Sequence, residues 1–478
     1  MKALKFYAIV CALAAVTVVG CKKDIPASLS LLTSNISVEA AGGTQDVSFL
    51  TNQSWSVRSS ETWVTVAPAS GGASDVYQAV TVTVAENPDE SSRTATLSLT
   101  AGEKSGQITV TQAGMPRFTI RDFLAKKADK TTWYKLTGEI ASLPEKNYGN
   151  FYLVDDTGLV LVYGLTEKQS DTNDQSFSKL GLKPGDTVTM MTLRSEYNGN
   201  AEAGGTIPAY FVSKTSGEYK LGKKVASTKA GWLELPATSS TDKQDLLIHY
   251  FPDGKRSYAA YYDYTNLVST WVAYPLCASY IGTGSRSVGS HFPMDPLLTQ
   301  EQQPYLAYGY KYAYGEDPLD RGHQIPSADR GDWRVNMETF FSTNITPQNS
   351  DFNAGTWAAL ETRVRGWASR SDTLYVVTGC YGADKAVYSA TDTESKKVGV
   401  PTGYYKAILR LASGKYSAVA FWFDNKANTA TSIQKSMAMS VDELEKKVGV
   451  DFFVNLPEET QKTVESQNPA EEGWWWNN

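Results

Sequence analysis

The 478-residue sequence has few of the residues that usually build metal or redox centres: 3 histidines and 4 cysteines. Two of the cysteines, Cys11 and Cys21, lie in the first 21 residues, so the body of the chain keeps only Cys277 and Cys380. The spacings of thiolate or multi-histidine zinc sites are therefore absent. An export compartment would permit a Cys277–Cys380 disulfide, but the spacing does not require one. Positive charge is not in excess either: 45 Lys and Arg stand against 51 Asp and Glu, a formal net charge of −6. That argues against a passive nucleic-acid coat, yet not against an enzyme that holds phosphate in a local arginine cluster. There are no internal repeats, and the apolar run at residues 6–20 is too short to span a bilayer comfortably. What remains is an ordinary globular composition, long enough for about three domains at roughly 100–200 residues each.

The start of the chain is informative. Met1-Lys2-Ala3-Leu4-Lys5 is a basic lead, the apolar run follows, and the run ends at Cys21. This is the pattern of a secretion signal. Val18-Val19-Gly20-Cys21 resembles a bacterial lipobox, in which the signal (residues 1–21) is cut before the cysteine and Cys21 becomes the lipid anchor. Lys22 in place of an acidic residue points to the outer membrane by resemblance to sorting rules, with the periplasmic and cell-surface faces both open. The resulting expectation is an exported, membrane-anchored lipoprotein.

Three segments follow. Residues 27–114 alternate apolar and polar side chains, as in Val80-Thr81-Val82-Thr83-Val84 and Ala95-Thr96-Leu97-Ser98-Leu99, with Gly, Pro, Asn and Ser between the runs. Short strands so spaced predict an all-β sandwich. Trp55, Trp63, Pro68 to Gly72, Asn87, Arg93-Thr94-Ala95 and Val110 to Gly114 make this segment resemble the BACON family. That implies an immunoglobulin-like module serving as a spacer or binding a glycan. Residues 118–220 are again β-rich, with a hairpin predicted about Asp156-Thr157-Gly158. Their order is similar to an OB-fold barrel, a fold that often binds oligonucleotides or oligosaccharides. A Lys/Thr/Ser-rich connector covers 219–241, and residues 230–478 read as an α+β domain with helices at 353–369 and near 440–448. The tail Glu471-Glu472-Gly473-Trp474-Trp475-Trp476 is expected to pack on a neighbour.

Chemistry concentrates around the third histidine. His249 sits in an apolar strand and reads as structural; His291 lies in a loop before Phe292-Pro293-Met294-Asp295-Pro296. His323 lies in Asp320-Arg321-Gly322-His323-Gln324-Ile325-Pro326-Ser327-Ala328-Asp329, followed by Thr343-Asn344-Ile345-Thr346-Pro347-Gln348 and by Phe352-Asn353-Ala354-Gly355-Thr356-Trp357-Ala358-Ala359-Leu360-Glu361. In order, spacing and identity these motifs resemble the DNA/RNA non-specific endonucleases, the ββα-metal or His-Me finger nucleases. The resemblance spans roughly residues 230–476, Arg286 and Val464-Glu465 included.

The resemblance makes His323 the general base that activates water, a role suited to a side chain titrating near neutrality. Asn344 would hydrogen-bond or orient it, or else be a structural amide in a turn. Asn353 would be the sole direct protein ligand to a metal. Such a sparse oxygen site suits Mg²⁺, with Mn²⁺ able to substitute. On a helix, Asn353, Trp357, Glu361 and Arg365 form an i, i+4 row. Glu361 would hold metal-bound waters. Arg321, Arg365 and Arg286 could reach phosphate oxygens. From Arg321 to Arg370 there are six arginines and no lysine against five acids, so electropositivity is local and contacts should favour phosphate over base edges. The expected reaction is endonucleolytic hydrolysis of DNA and RNA. The alternatives are a surface glycan-binding or adhesion lipoprotein with an inactive nuclease-like domain, or an enzyme for small phosphodiesters. Oligomeric state is not readable from the sequence.

Overall fold

The computed structural model describes residues 26–144, 147–197, 199–227, 231–282, 292–311, 316–390 and 395–476. The signal, Cys21, Arg286 and His291 lie outside them. The chain is mostly β with few helices and divides into two compact units, one ending at Pro116 and the other beginning at Arg117.

The first unit carries a four-stranded sheet (Leu29–Leu31, Gly43–Thr51, Gln78–Val84, Val64–Ala67) and a five-stranded sheet (Asn35–Val38, Lys104–Gln112, Arg93–Ala101, Trp55–Ser59, Ser70–Gly71). The period-2 pattern holds: Val80, Val82 and Val84, like Ala95, Leu97 and Leu99, point into one shared core. Trp55 meets Phe49 edge-on at 4.8 Å in that core. A Cβ on Gly71 would lie 2.5 Å from the Trp55 ring, so only glycine fits the neighbouring strand there. Arg93 lies 4.3 Å over the Trp63 ring.

The second unit begins with a closed barrel. Trp133–Ser142 pairs with Phe151–Val154, that with Leu159–Thr166, that in parallel with Asn200–Thr215, that with Thr187–Tyr197, and Thr187–Tyr197 pairs back with Trp133–Ser142. The hairpin turn forms as the sequence predicts. Asp155 accepts backbone bonds from Thr157 (2.7 Å) and Gly158 (3.0 Å) and so closes Val154 against Leu159. Phe151, Leu153, Val160 and Val162 fill the barrel. The alternate residues Tyr152 and Leu159 point outward into the core of the following domain. Polar bonds fasten the same seam: Ser142 Oγ donates to Met294 O (2.6 Å), and Arg334 Nη2 donates to Asp155 O (2.9 Å) and Asp156 Oδ1 (2.8 Å).

An eight-stranded antiparallel sheet organises the rest, in the order Gly222–Val225, Gln244–Tyr250, Arg256–Asp263, Val268–Leu276, Thr373–Tyr381, Gly403–Ala412, Lys415–Asp424, Ala438–Met439. Residues expected as connector thus supply the edge strand Gly222–Val225. One face, with Val272, Tyr274, Val376, Tyr404, Ile408 and Phe421, carries the helix Ala358–Ala368 and the hairpin that holds His323. The other face, with Trp271, Ala273, Val377, Leu409 and Ala420, carries the helices Val441–Val448 and Glu458–Glu465. The tryptophan tail packs on the first face. Trp475 is fully buried, meets Trp367 edge-on at 4.8 Å, and its carbonyl accepts from Trp367 Nε1 and Arg363 Nη2, both at 3.0 Å.

Candidate active site

The motif around His323 is a strand, Leu319–His323, paired antiparallel with Ile345–Asn349. Its glycine has a steric reason: a Cβ on Gly322 would fall 2.6 Å from Gln348 Cβ on the partner strand. Because side chains alternate along a strand, Arg321 and His323 share one face. Both meet the same ring there. Phe292 lies 3.9 Å under the Arg321 guanidinium and 5.7 Å from the His323 ring, and Phe340 closes on the imidazole edge-on at 4.8 Å. The imidazole is half-buried between apolar rings, which fix its plane while leaving part of it accessible. Arg321 Nη1 donates to the carbonyls of Leu306 (3.0 Å) and Ala307 (2.7 Å), so the guanidinium is held in position before any anion arrives.

From the opposite face of the strand, Asp320 reaches the site helix. Its Oδ1 accepts from Ser350 Oγ (2.8 Å) and its Oδ2 from Asn353 Nδ2 (2.9 Å). The second bond decides how the Asn353 amide is turned. With Nδ2 donating to the carboxylate, Oδ1 faces the other way, and among the described residues it has no assigned donor. A half-buried neutral oxygen with its orientation fixed is the kind of ligand a hard divalent cation accepts, so the residues present fit such an ion.

The i, i+4 row predicted from Asn353 needs correction. Residues Ser350–Phe352 are helical, but Asn353–Trp357 form a π-turn that breaks at Gly355 (φ −96°, ψ −107°), and regular helix begins only at Ala358. A Cβ on Gly355 would meet Asn428 O at 2.5 Å, so the neighbouring loop presses the chain into this bend. Asn353 is therefore out of register with Glu361, and Trp357 turns fully into the core. Glu361 and Arg365 keep their spacing inside the regular helix. Arg365 Nη1 pairs with Asp329 Oδ1 at 3.2 Å, and Asp329 Oδ2 accepts from Tyr274 OH at 3.0 Å.

Asn344 also differs from expectation. Its side chain is fully buried; Oδ1 accepts from Ile325 N (2.9 Å), and Nδ2 donates to Ile325 O (3.0 Å) and Thr339 O (2.6 Å). Both amide hydrogens are used on backbone carbonyls, so Asn344 does not bond the imidazole. It clamps the chain two residues beyond His323, the structural alternative the sequence left open.

From sequence alone Asp320 and Asp329, which lie within the His323 motif, carry no assigned role, and Lys406 is not marked. Lys406 is fully buried on the site-facing side of the sheet, where Nζ donates to Thr378 Oγ1 (2.6 Å) and lies 4.5 Å over the Trp357 ring. Burial pushes its ammonium down from the usual lysine range, while Glu361 and Asp329 pull it back up. Burial likewise pushes the Glu361 carboxyl up, against the lowering pull of Lys406. One lysine inside Tyr404-Tyr405-Lys406-Ala407-Ile408 was the available signal, since an unpaired lysine is rarely buried in an apolar strand.

Comparison with known proteins fits this geometry. Residues 251–459 match the family model of the DNA/RNA non-specific endonucleases, and residues 53–113 match the N-terminal BACON family. A nuclease of Nostoc sp. is 32% identical over 228 residues, covering 45% of this chain and 77% of that protein. A nuclease of Serratia marcescens is 30% identical over 210 residues, covering 42% of this chain and 75% of that one. The chain belongs to the DNA/RNA non-specific endonuclease family. A solved EndoG/EndoGI complex aligns at TM-score 0.35 with 22% identity, covering 45% of this chain and 88% of that one. Aromatic rings hold the His323 imidazole, the Asp320 carboxylate turns the Asn353 amide, and the buried Lys406 and half-buried Arg365 act on the Glu361 carboxyl.

Among the described residues no helix is long and apolar enough to cross a membrane. Cys277 and Cys380 are both free. Leu276 pairs with Leu374, and Trp271 with Gly379, on adjacent strands. The two thiols thus sit at opposite ends of one ladder, about 20 Å apart at ~3.3 Å per residue, too far to bridge.

Proposed function

We propose that the chain hydrolyses phosphodiester bonds within DNA and RNA with little sugar or sequence preference, in a divalent-metal-dependent reaction for which Mg²⁺ is the natural ion and Mn²⁺ a substitute. The observation that carries the reading is the Asp320–Asn353 bond at 2.9 Å, which joins the His323 strand to the site helix and turns one amide oxygen outward. His323 takes a proton from the attacking water, a step worth roughly 10²–10⁴-fold. The rings of Phe292 and Phe340 restrict its motion. Asn353 would hold the ion, and Glu361 its waters. Bound there, the cation would offset the charge that builds on phosphate oxygens and on the departing 3′ oxygen. Arg321, Arg365 and Arg286 orient the phosphate through forked donors. Its pairing with Asp329 at 3.2 Å restrains Arg365 for that role.

Strand order supports the finer fold names. An antiparallel pair leading directly into the site helix supports the ββα-metal reading. The barrel's closed pairing and its single parallel contact support an OB-like fold, and the two sheets of the first unit support an immunoglobulin-like sandwich. We also propose that Cys21 anchors the exported protein to the outer membrane; a Cys21→Ala variant that remained membrane-bound would oppose this.

The test is cleavage of supercoiled plasmid and of RNA by the soluble chain from residue 22 onward, with Mg²⁺, with EDTA, and with His323→Ala. The reading expects Mg²⁺-dependent cutting and a loss of at least about 10²-fold in the variant. No cutting of plasmid, single-stranded DNA or RNA would refute it.

A further inference from the structure

A small three-stranded antiparallel sheet flanks the hairpin that holds His323: Tyr310–Lys311, Lys385–Ser389 and Lys397–Val400, with Lys385–Ser389 in the middle. Tyr310–Lys311 packs beside the His323 strand, and Lys397–Val400 beside its partner Ile345–Asn349. One face, with Tyr310, Val387, Val398 and Val400, belongs to the main core. The other face carries a row of three side chains. Lys311 stands opposite Tyr388, and Tyr388 opposite Lys397. Residues paired in this way point to the same side, with Cβ atoms about 4.5–5.5 Å apart. Both lysines are exposed, and the Tyr388 ring between them is 52% exposed. One pair further along, the Asn266 turn covers Gly399, whose N–H donates to Asn266 O at 2.8 Å. The row therefore stands at the open end of the face.

Two properties say what covers this row. The three strands contain Lys311, Lys385 and Lys397 and no acid, in a chain of net charge −6, so the surface is locally positive. Lys311 Nζ donates to the neutral Ser395 Oγ at 2.7 Å, which leaves its charge uncompensated by that partner. The surface is also continuous with the site. The carbonyls of Leu306 and Ala307 hold Arg321, and the same segment runs on through Tyr308, 59% exposed, to Lys311. From Ala307 to Lys311 the chain can reach at most about 14 Å. That is about four phosphates at the ~3.4 Å rise of one strand. We propose that the row binds an unpaired stretch of nucleic acid leading away from the bond to be cut: a base stacks on the Tyr388 ring, and the phosphates on either side of it meet Lys311 and Lys397. The inference rests on the nuclease reading above and adds the form of substrate that the site favours, a single strand. A tyrosine ring can stack only on a base face that is not already covered, and in a duplex each base is stacked on its neighbours. Stacking accepts every base, so the surface strengthens binding without selecting sequence.

The experiment uses the full chain from residue 22 onward in EDTA, so that binding is read without cleavage. It measures the anisotropy of a dye-labelled oligothymidylate of about 16 nucleotides, and of a duplex of the same length. Tyr388→Ala should weaken single-strand binding at least about 5-fold and duplex binding less, while Tyr388→Trp, which keeps a stacking face, should stay near wild type. Lys311→Gln combined with Lys397→Gln should flatten the slope of log affinity against log salt by about 1.4, or ~0.7 for each phosphate contact on a single strand. That pair carries the test where Tyr388→Ala fails to fold. Tyr77→Ala is the matched control, a comparably exposed tyrosine of the first unit that should change nothing. Three results overturn the proposal: single-strand affinity unchanged in Tyr388→Ala, an equal loss on the duplex, or an unchanged salt slope in the double lysine variant. None of these readings needs catalysis. A chain that binds in this way and cuts nothing keeps the surface and loses the nuclease reading; one that cuts plasmid without any Tyr388 effect does the reverse.

Discussion

Asp320→Ala isolates the orientation of the metal ligand from the chemistry. The wild-type carboxylate accepts the Asn353 Nδ2 bond at 2.9 Å, and an alanine leaves that amide free to rotate. A hydrogen bond to a charged group contributes roughly 1.5–3 kcal/mol net. At 1.4 kcal/mol per tenfold, that is about 10- to 140-fold in the fraction of amides presenting oxygen outward. Initial rates of plasmid nicking against Mg²⁺ concentration measure this. The concentration for half-maximal rate should rise at least about 10-fold, and most of the wild-type rate should return at saturating Mg²⁺, because His323 and the arginines are untouched. Ser350→Ala is the control: it removes the 2.8 Å bond to Asp320 Oδ1 and leaves Asn353 held, so its Mg²⁺ requirement should stay near wild type. A folded Asp320→Ala enzyme with an unchanged Mg²⁺ requirement, or one whose maximal rate falls without any change in that requirement, would refute the orienting role.

Lys406→Met keeps the packing against Trp357 but removes the ammonium that holds Glu361 down. The acidic limb of the pH profile of kcat/KM should move to higher pH, and an unmoved or lowered limb counts against the coupling. Ellman's reagent should titrate Cys277 alone in the native chain from residue 22 onward, since Cys380 is buried and its thiol is pushed up to about 12. In denaturant both thiols should react, and finding neither there would mean a disulfide. Trp475→Ala should lower unfolding free energy by about 3–5 kcal/mol, the range for emptying a buried aromatic site. A loss under about 1 kcal/mol would mean that the tail is not core in solution. In metal-free buffer, burial and the neighbouring Glu445 push Glu465 up to about 8 from an ordinary 4.5. The folded state then binds the proton more tightly, so stability should fall as pH climbs through that window. Urea midpoints for wild type should drop across it more than those for Glu465→Gln, and parallel pH curves would contradict the assignment.

Much of the catalytic region was legible because strand and helix periods expose it. The site helix and its buried Leu360 and Val364 follow from the helical period, whereas the pairing of Leu319–His323 with Ile345–Asn349 has no such local pattern and appears only in the structure. The partners were harder to read. Asp320 was visible as part of the His323 motif, but its bond to Asn353 crosses 33 residues and exists only after the hairpin and helix have packed. The π-turn at Asn353–Trp357 was not legible either. Nothing local forbids regular helix there except Gly355, and it is the loop at Asn428, far along the chain, that fills the space a side chain would need. The choice between the two roles open to Asn344 depends on packing in the same way. An amide next to this motif reads either as a partner of the histidine or as a turn amide; a buried turn has backbone groups that must be satisfied first, and Ile325 and Thr339 take both of its amide hydrogens.

The barrel shows how far local reading can carry a domain and where it stops. Alternation along Phe151–Val154 and Leu159–Thr166 predicts two faces, and Phe151, Leu153, Val160 and Val162 fill the barrel as such a pattern requires. Nothing in that pattern says what covers the other face. An isolated barrel could leave Tyr152 and Leu159 exposed as a ligand platform. Here they are buried in the nuclease core instead, with Arg334 and Ser142 fastening the edges of the seam. A surface that composition would assign to nucleic acid or glycan is thus already occupied by the protein itself. Any binding by the barrel must use aromatic groups that remain outside the seam, such as Tyr163 and Tyr197. The physical difference is one of area: outward apolar residues next to an uncovered core are buried by the nearest surface in the chain before any ligand competes for them.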